Sequence, residues 1–117
     1  MTPIFNPRGK TVGFINNSHI YDLRGAAIAF LNDDNVVSYR GRHLGVLHNG
    51  LFRDHRGGVV AFLQGGHGGP ILPIAEIPPI PPIPAIPPIP PIPPIPPIPA
   101  IPSLGWSGVG WQEFIYA

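Results

Sequence analysis

The sequence predicts an all-β protein: four 16-residue β-hairpin repeats, then a long polyproline II rod, then a short C-terminal strand. Three observations carry this reading. Arg-Gly recurs at Arg8-Gly9, Arg24-Gly25, Arg40-Gly41 and Arg56-Gly57, sixteen residues apart each time. Behind each pair, large apolar residues alternate with Gly or Ala. From Ile71 to Leu104, every third residue is branched aliphatic and the places between are mostly Pro.

The repeat occupies residues 1–64, and its flanks keep the same period. Asn6, Asp22, Ser38 and Asp54 stand two places before each Arg, and Val12, Ile28, Leu44 and Val60 three places after each Gly. A self-similarity of this kind decides the architecture before any single element does. Asn6-Pro7-Arg8-Gly9 and its three counterparts suit type I turns, with Asn, Asp or Ser first and Gly fourth. A Gly in that place also suits the left-handed position of a three-residue hairpin loop.

Short strands are expected before the turns, at Ile4-Phe5, Ile20-Tyr21, Val36-Val37 and Leu51-Phe52. Longer ones follow the turns, at 11–15, 27–31, 43–47 and 59–63. Polar connections between units, such as Asn16-Asn17-Ser18-His19, favour turns, so the chain meanders antiparallel. Strict alternation puts Val12 with Phe14, Ile28 with Phe30, Leu44 with Val46 and Val60 with Phe62 on a core face. Gly13, Ala29, Gly45 and Ala61 then line the opposite face, where something else can approach closely. One hairpin is marginal in water, so the four units must pack together.

Residues 65–70, Gly-Gly-His-Gly-Gly-Pro, read as a hinge or tight reversal. The rod spans 71–104. Proline fixes φ near −65° and lacks an N–H, which leaves polyproline II as the conformation for this tract. Three residues per turn stack Ile71, Ile74, Ile77, Ile80, Ile83, Ile86, Ile89, Ile92, Ile95, Ile98, Ile101 and Leu104 along one edge. Drawn out at about 3.1 Å per residue, the tract would reach roughly 100 Å.

Burying one Ile is worth about 1.5–3 kcal/mol, so this edge needs a partner surface. Rods from several copies can meet along an axis, a rod can fold back over the small-residue face of its own or a neighbour's β-repeat, or a separate protein can bind it. A collagen-type triple helix is excluded, because the tract has no Gly at every third place. The single N–H of each Ile-Pro-Pro triplet is available to a neighbouring carbonyl. Residues 105–117 read as an aromatic cap ending in a strand, with Trp106 and Trp111 covering an apolar core or rod end.

Composition narrows the function classes. Seven Lys and Arg against six Asp and Glu give a net charge of +1, without the clustered basic residues of a nucleic-acid interface. Cys is absent, which removes disulfides and thiolate metal sites. No apolar run is long enough to span a membrane as a helix. The start lacks a signal-peptide pattern, so the expected location is cytoplasmic, or extracellular if the protein assembles into a fibre.

His19, His43, His48, His55 and His67 fit no metal-ligand spacing, and no cofactor is expected. Asp54-His55 has no nucleophile in evidence, so no enzymatic activity is expected. The four turn Arg are expected to be solvated and paired with Asp22, Asp54, Asp33 or Asp34, rather than to form an anion-binding ring.

The Arg-Gly units, the segment Val37-Ser38-Tyr39-Arg40-Gly41-Arg42-His43-Leu44-Gly45, the Asp54-His55-Arg56-Gly57 turn, the Gly-Gly-Pro at 68–70 and the triplet tail resemble the bacterial 4-fold beta flower proteins. The resemblance covers most of the chain and implies a four-petalled β structure with no assigned activity. The tail departs from that family in being almost purely Ile and Pro. The units are also similar, more weakly, to tyrosine-aspartate hairpin repeats. The expected function is that of a structural protein that self-associates into a homo-oligomer or fibre through its Ile edge. The alternative is an adaptor whose proline-rich rod is bound by another protein.

Overall fold

The computed structural model describes residues 1–117. Eight strands follow in order: β1 (Thr2–Phe5), β2 (Thr11–Asn16), β3 (His19–Tyr21), β4 (Ala27–Asn32), β5 (Asn35–Ser38), β6 (His43–His48), β7 (Leu51–Arg53) and β8 (Val59–Phe62). Each pairs antiparallel with the next, and β8 returns to β1 through Phe62 and Phe5, closing a barrel. Closure leaves no strand edge open, which is how a sheet of strands this short avoids pairing with other chains.

The turns follow from their sequence. Gly9, Gly25, Gly41 and Gly57 take φ of 77°, 90°, 84° and 85°, which a side chain would strain. Each donates its N–H to the carbonyl of Asn6, Asp22, Ser38 or Asp54, at 2.9–3.2 Å. The side chains of those four residues also accept backbone N–H groups of the turn, as Asp54 Oδ1 does from Arg56 and Gly58. This overturns the expected Arg–Asp pairing. The acidic side chains of the turns serve the turn backbone, Lys10 pairs with Glu76, and Asp34 is hydrogen-bonded to His48 Nδ1.

The facing of the strands also differs from strict alternation. Each hairpin carries one β-bulge, shifting register between Ile4 and Phe5, Ile20 and Tyr21, Val36 and Val37, and Phe52 and Arg53. The bulge leaves Val12, Ile28, Leu44 and Val60 unpaired, so each shares a side with the small residue after it. Gly13, Ala29, Gly45 and Ala61 therefore lie opposite Ile4, Ile20, Val36 and Phe52 on the inner wall. Pairing small with large is what a barrel this narrow requires. Phe14, Phe30, Val46 and Phe62 fall on the outer wall instead, as their pairing with Tyr21, Val37, Arg53 and Phe5 shows.

No strand forms at the C-terminus. Residues Trp111–Ile115 make a short helix, α1, because the closed barrel offers no edge to extend. Trp111, Phe114 and Ile115 recur at i, i+3 and i+4, all buried in the cluster that fills the barrel. Phe52 meets Trp111 and Phe114 edge-on, with ring centroids 5.3 Å and 6.4 Å away. A Cβ on Gly45 would run into the Arg53 carbonyl oxygen of the opposing strand and the Phe114 ring, so this glycine makes room for both.

The tract 71–104 does not extend as a straight rod. The molecule measures 35 × 35 × 21 Å, far less than an extended tract would need. Instead the tract bends round the barrel as a belt outside the four Arg-Gly turns.

Candidate functional site

The belt is fastened where proline is interrupted. Glu76 N–H donates to the Gly9 carbonyl at 2.8 Å, Ala85 N–H to Gly25 at 2.8 Å, and Ser103 N–H to Gly57 at 3.0 Å. These anchors lie nine residues apart in the first step and eighteen in the second, against sixteen per unit in the barrel. The donors are thus the non-proline places and not the Ile N–H groups. The anchor missing from the series falls on Pro94, which has no N–H to give. A Cβ on Gly9, Gly25 or Gly57 would meet the carbonyl oxygen of Ile74, Ile83 or Ile101, whereas at Gly41 the nearest neighbour is Pro91 Cγ at 3.9 Å. The belt stands off the barrel at the third turn.

Arg53 clasps the two ends of the belt. Its Nη1 donates to the carbonyls of Gly57 at 2.7 Å and Ser103 at 2.6 Å, and its Nη2 to that of Gly68 at 3.0 Å. The residue is 6% exposed and has no carboxylate partner within ion-pair range. Burial lowers the guanidinium from its usual range, yet an arginine keeps its proton. At the first turn, Glu76 accepts the Thr11 N–H at 2.7 Å and pairs with Lys10 at 3.6 Å. The Thr11 N–H chiefly, and the Lys10 ammonium after it, hold the Glu76 carboxyl below the usual range.

A family model described as 4-fold beta flower protein matches residues 2–115. The chain belongs to that family. No curated protein and no solved structure matches it.

In this beta flower the belt turns its apolar edge outward. Ile71 through Ile101 are 89–96% exposed at every third place, and Leu104 is 76% exposed. The Ile edge therefore does not fold onto the chain's own barrel. The other edges of the tract do so, with Leu72 and Ala75 packing against Phe5 and Phe62. The reason is the placement of the anchoring donors, which always lie off the Ile row.

The remaining sequence-stressed residues are spread out. Arg8, Arg24, Arg40 and Arg56 are exposed at the turn tips, and Arg40 reaches the Ala117 carbonyl at 3.1 Å. Trp111 sits in the barrel plug, while Trp106 lies against Phe62 and bridges to Val59. His43 and His55 meet: Asn35 Oδ1 accepts from His43 Nε2 at 2.8 Å, and His55 Nε2 donates to His43 Nδ1 at 2.9 Å. Burial first, and His55 second, lower the His43 pKa. Tyr39, bonded to His19 Nδ1 at 2.5 Å, is pushed up to about 12 by burial and then by Tyr21.

No three His or carboxylate side chains converge as a metal-ligand set. A cavity of about 810 Å³ lies between the belt at 96–102 and the outer wall of β6 and β7. Sequence reasoning passed over Arg53 and Pro94. Arg53 is the charged member of a column otherwise made of Phe5, Tyr21 and Val37, and the nine-residue rhythm of Glu76, Ala85 and Ser103 is a signal that could have located the belt.

Proposed function

We propose that this protein is a non-enzymatic assembly module, in which a four-hairpin β-repeat displays a polyproline II belt whose isoleucine rim buries against further copies of the same chain. One observation carries the reading: eleven isoleucines are at least 89% exposed on the outside of a single chain. Left in water, they represent on the order of 20 kcal/mol of apolar burial not yet used. Exposed apolar surface on this scale marks an interaction site.

The polyproline II conformation is supported by dimensions. Nine residues at about 3.1 Å cover roughly 28 Å per quarter, or about 110 Å per circuit, the circumference of a disc about 35 Å across. The molecule measures 35 Å in both long directions. A ring that presents about three isoleucines per quarter cannot bury them all against one flat neighbour. The rim therefore calls for several neighbours, as in a closed oligomer or a growing fibre.

Sedimentation velocity at micromolar concentration tests this, with discrete oligomers or filaments expected. Replacing Ile77, Ile83, Ile89 and Ile95 with Ser is expected to yield a monomer with an unchanged β-sheet spectrum. A monodisperse wild-type monomer overturns the reading.

A further inference from the structure

We propose that the cavity between the belt and the β6–β7 wall binds an aromatic carboxylate, an aromatic ring system of one or two rings carrying an acid group. The internal symmetry of the barrel is broken at one junction. Where neighbouring units meet, the outer wall carries the cross-strand pairs Phe14 with Tyr21, Phe30 with Val37, and Phe62 with Phe5. The fourth equivalent pair is Val46 with Arg53. Three junctions thus hold a phenylalanine ring on the outer wall, and the fourth has a valine in that ring's place. The cavity of about 810 Å³ opens at that junction, with Val46 and Arg53 in its wall.

The belt adds to the vacancy. Pro94 supplies no anchor, so the belt has no backbone tie to the barrel between Ala85 and Ser103. Over this stretch Pro97, Ile98 and Pro99 form the outer side of the cavity, an apolar cover for a flat ring. The volume lies within the range of about 300–1,000 Å³ typical of small-molecule sites.

Charge decides which ring. Arg53 is a buried cation without an anion, and its three hydrogen bonds leave two of its five N–H donors unused. A buried charge of this kind calls for a counter-ion. The carboxylates nearby are engaged elsewhere. Asp34 pairs with His48, and Asp54 accepts two turn N–H groups and the Ser107 hydroxyl. The uncharged face of the site is set by Asn35 and His43, whose Nε2–H is already donated to Asn35. A ring seated over Val46 with its carboxylate toward Arg53 fills both vacancies at once.

The test is isothermal titration of the full chain with 2-naphthoate and indole-3-acetate, paired with the Arg53 Nε–H resonance in nitrogen-15 spectra. Saturable binding is expected, with a shift of that resonance, and at least tenfold weaker binding of 2-naphthalenemethanol and of acetate. Val46→Phe restores the pattern of the other three junctions, so it is expected to fold normally and to lose binding at least tenfold. Arg53→Gln is expected to weaken the acids at least tenfold more than the alcohol, the loss common to both reporting the released belt end. No saturable binding of either acid up to millimolar concentration overturns the proposal. So does equal binding of acid and alcohol, or unchanged affinity in Val46→Phe.

Discussion

Arg53 Nη1 holds the Ser103 carbonyl at 2.6 Å, and the same guanidinium holds Gly68 at 3.0 Å, so one side chain fastens both the beginning and the end of the belt. Charge-assisted bonds of this kind are worth about 1.5–3 kcal/mol each; when the donor goes, Gly57 keeps the Ser103 N–H, and Ser103 and Gly68 lie at exposed positions. Arg53→Met is therefore expected to lower stability by about 2–4 kcal/mol in guanidinium titration. Hydrogen exchange at the Ser103 amide should accelerate with it. An unchanged exchange rate at Ser103 would show that the clasp is not what holds the belt end.

The anchors give a matched pair of experiments. Ala85→Pro removes the N–H that pairs with the buried Gly25 carbonyl. An unpaired buried carbonyl costs about 1–3 kcal/mol, and the stiffer unfolded chain offsets roughly 0.4–1 kcal/mol. A net loss of about 1–2 kcal/mol is expected on this balance. Pro94→Ala is expected to be close to neutral in stability. Its signature is a protected amide at position 94, bonded to Gly41.

Gly45 faces Phe114 too closely for any side chain. Gly45→Ala should cost about 1–3 kcal/mol through overpacking, and Trp111 fluorescence should move to the red as the plug lifts. Ala29, at the equivalent place in another unit, already carries a methyl group there, whereas a Cβ on Gly13 or Gly45 would meet a carbonyl oxygen of the opposing strand, so the penalty at Gly45 comes from that backbone as well as from the helix.

Glu76 sets a pH dependence. Its folded carboxyl titrates below the ordinary 4.5, so the folded chain binds fewer protons than the unfolded chain around that pH. The contribution is present above 4.5 and is lost as pH falls through the folded value. Urea midpoints of the wild type should fall over that window, while Glu76→Gln should follow a flatter curve. Identical profiles would remove Glu76 as a source of acid sensitivity.

Much of the barrel was legible in the sequence because its repeat is written at fixed offsets. The strands that alternation predicts at 11–15 and 27–31 are observed at 11–16 and 27–32, and the Gly turns adopt the positive φ that their residue type suggests. The side-chain facing was not legible, because one bulged residue per hairpin, such as Val12, reverses the alternation without any mark in composition. Polyproline periodicity shows which row is apolar but not whether the tract runs straight. Its path depends on where Glu76, Ala85 and Ser103 find acceptors in distant turns. The terminal helix was hidden by its length, since five residues carry too little pattern to be told from a strand. Arg53 was hidden among seven basic residues, and only burial distinguishes it.

Nine belt residues pass each sixteen-residue unit, fastened at three turns of the four, which makes the tract a tape measure for the ring. The number of blades is written twice in this chain, once in the sheet and once in the girdle, and the two tallies have to match. A relative with a fifth blade would need nine more residues in its girdle. A girdle shortened by one triplet would stop a third of a sector short of its buckle.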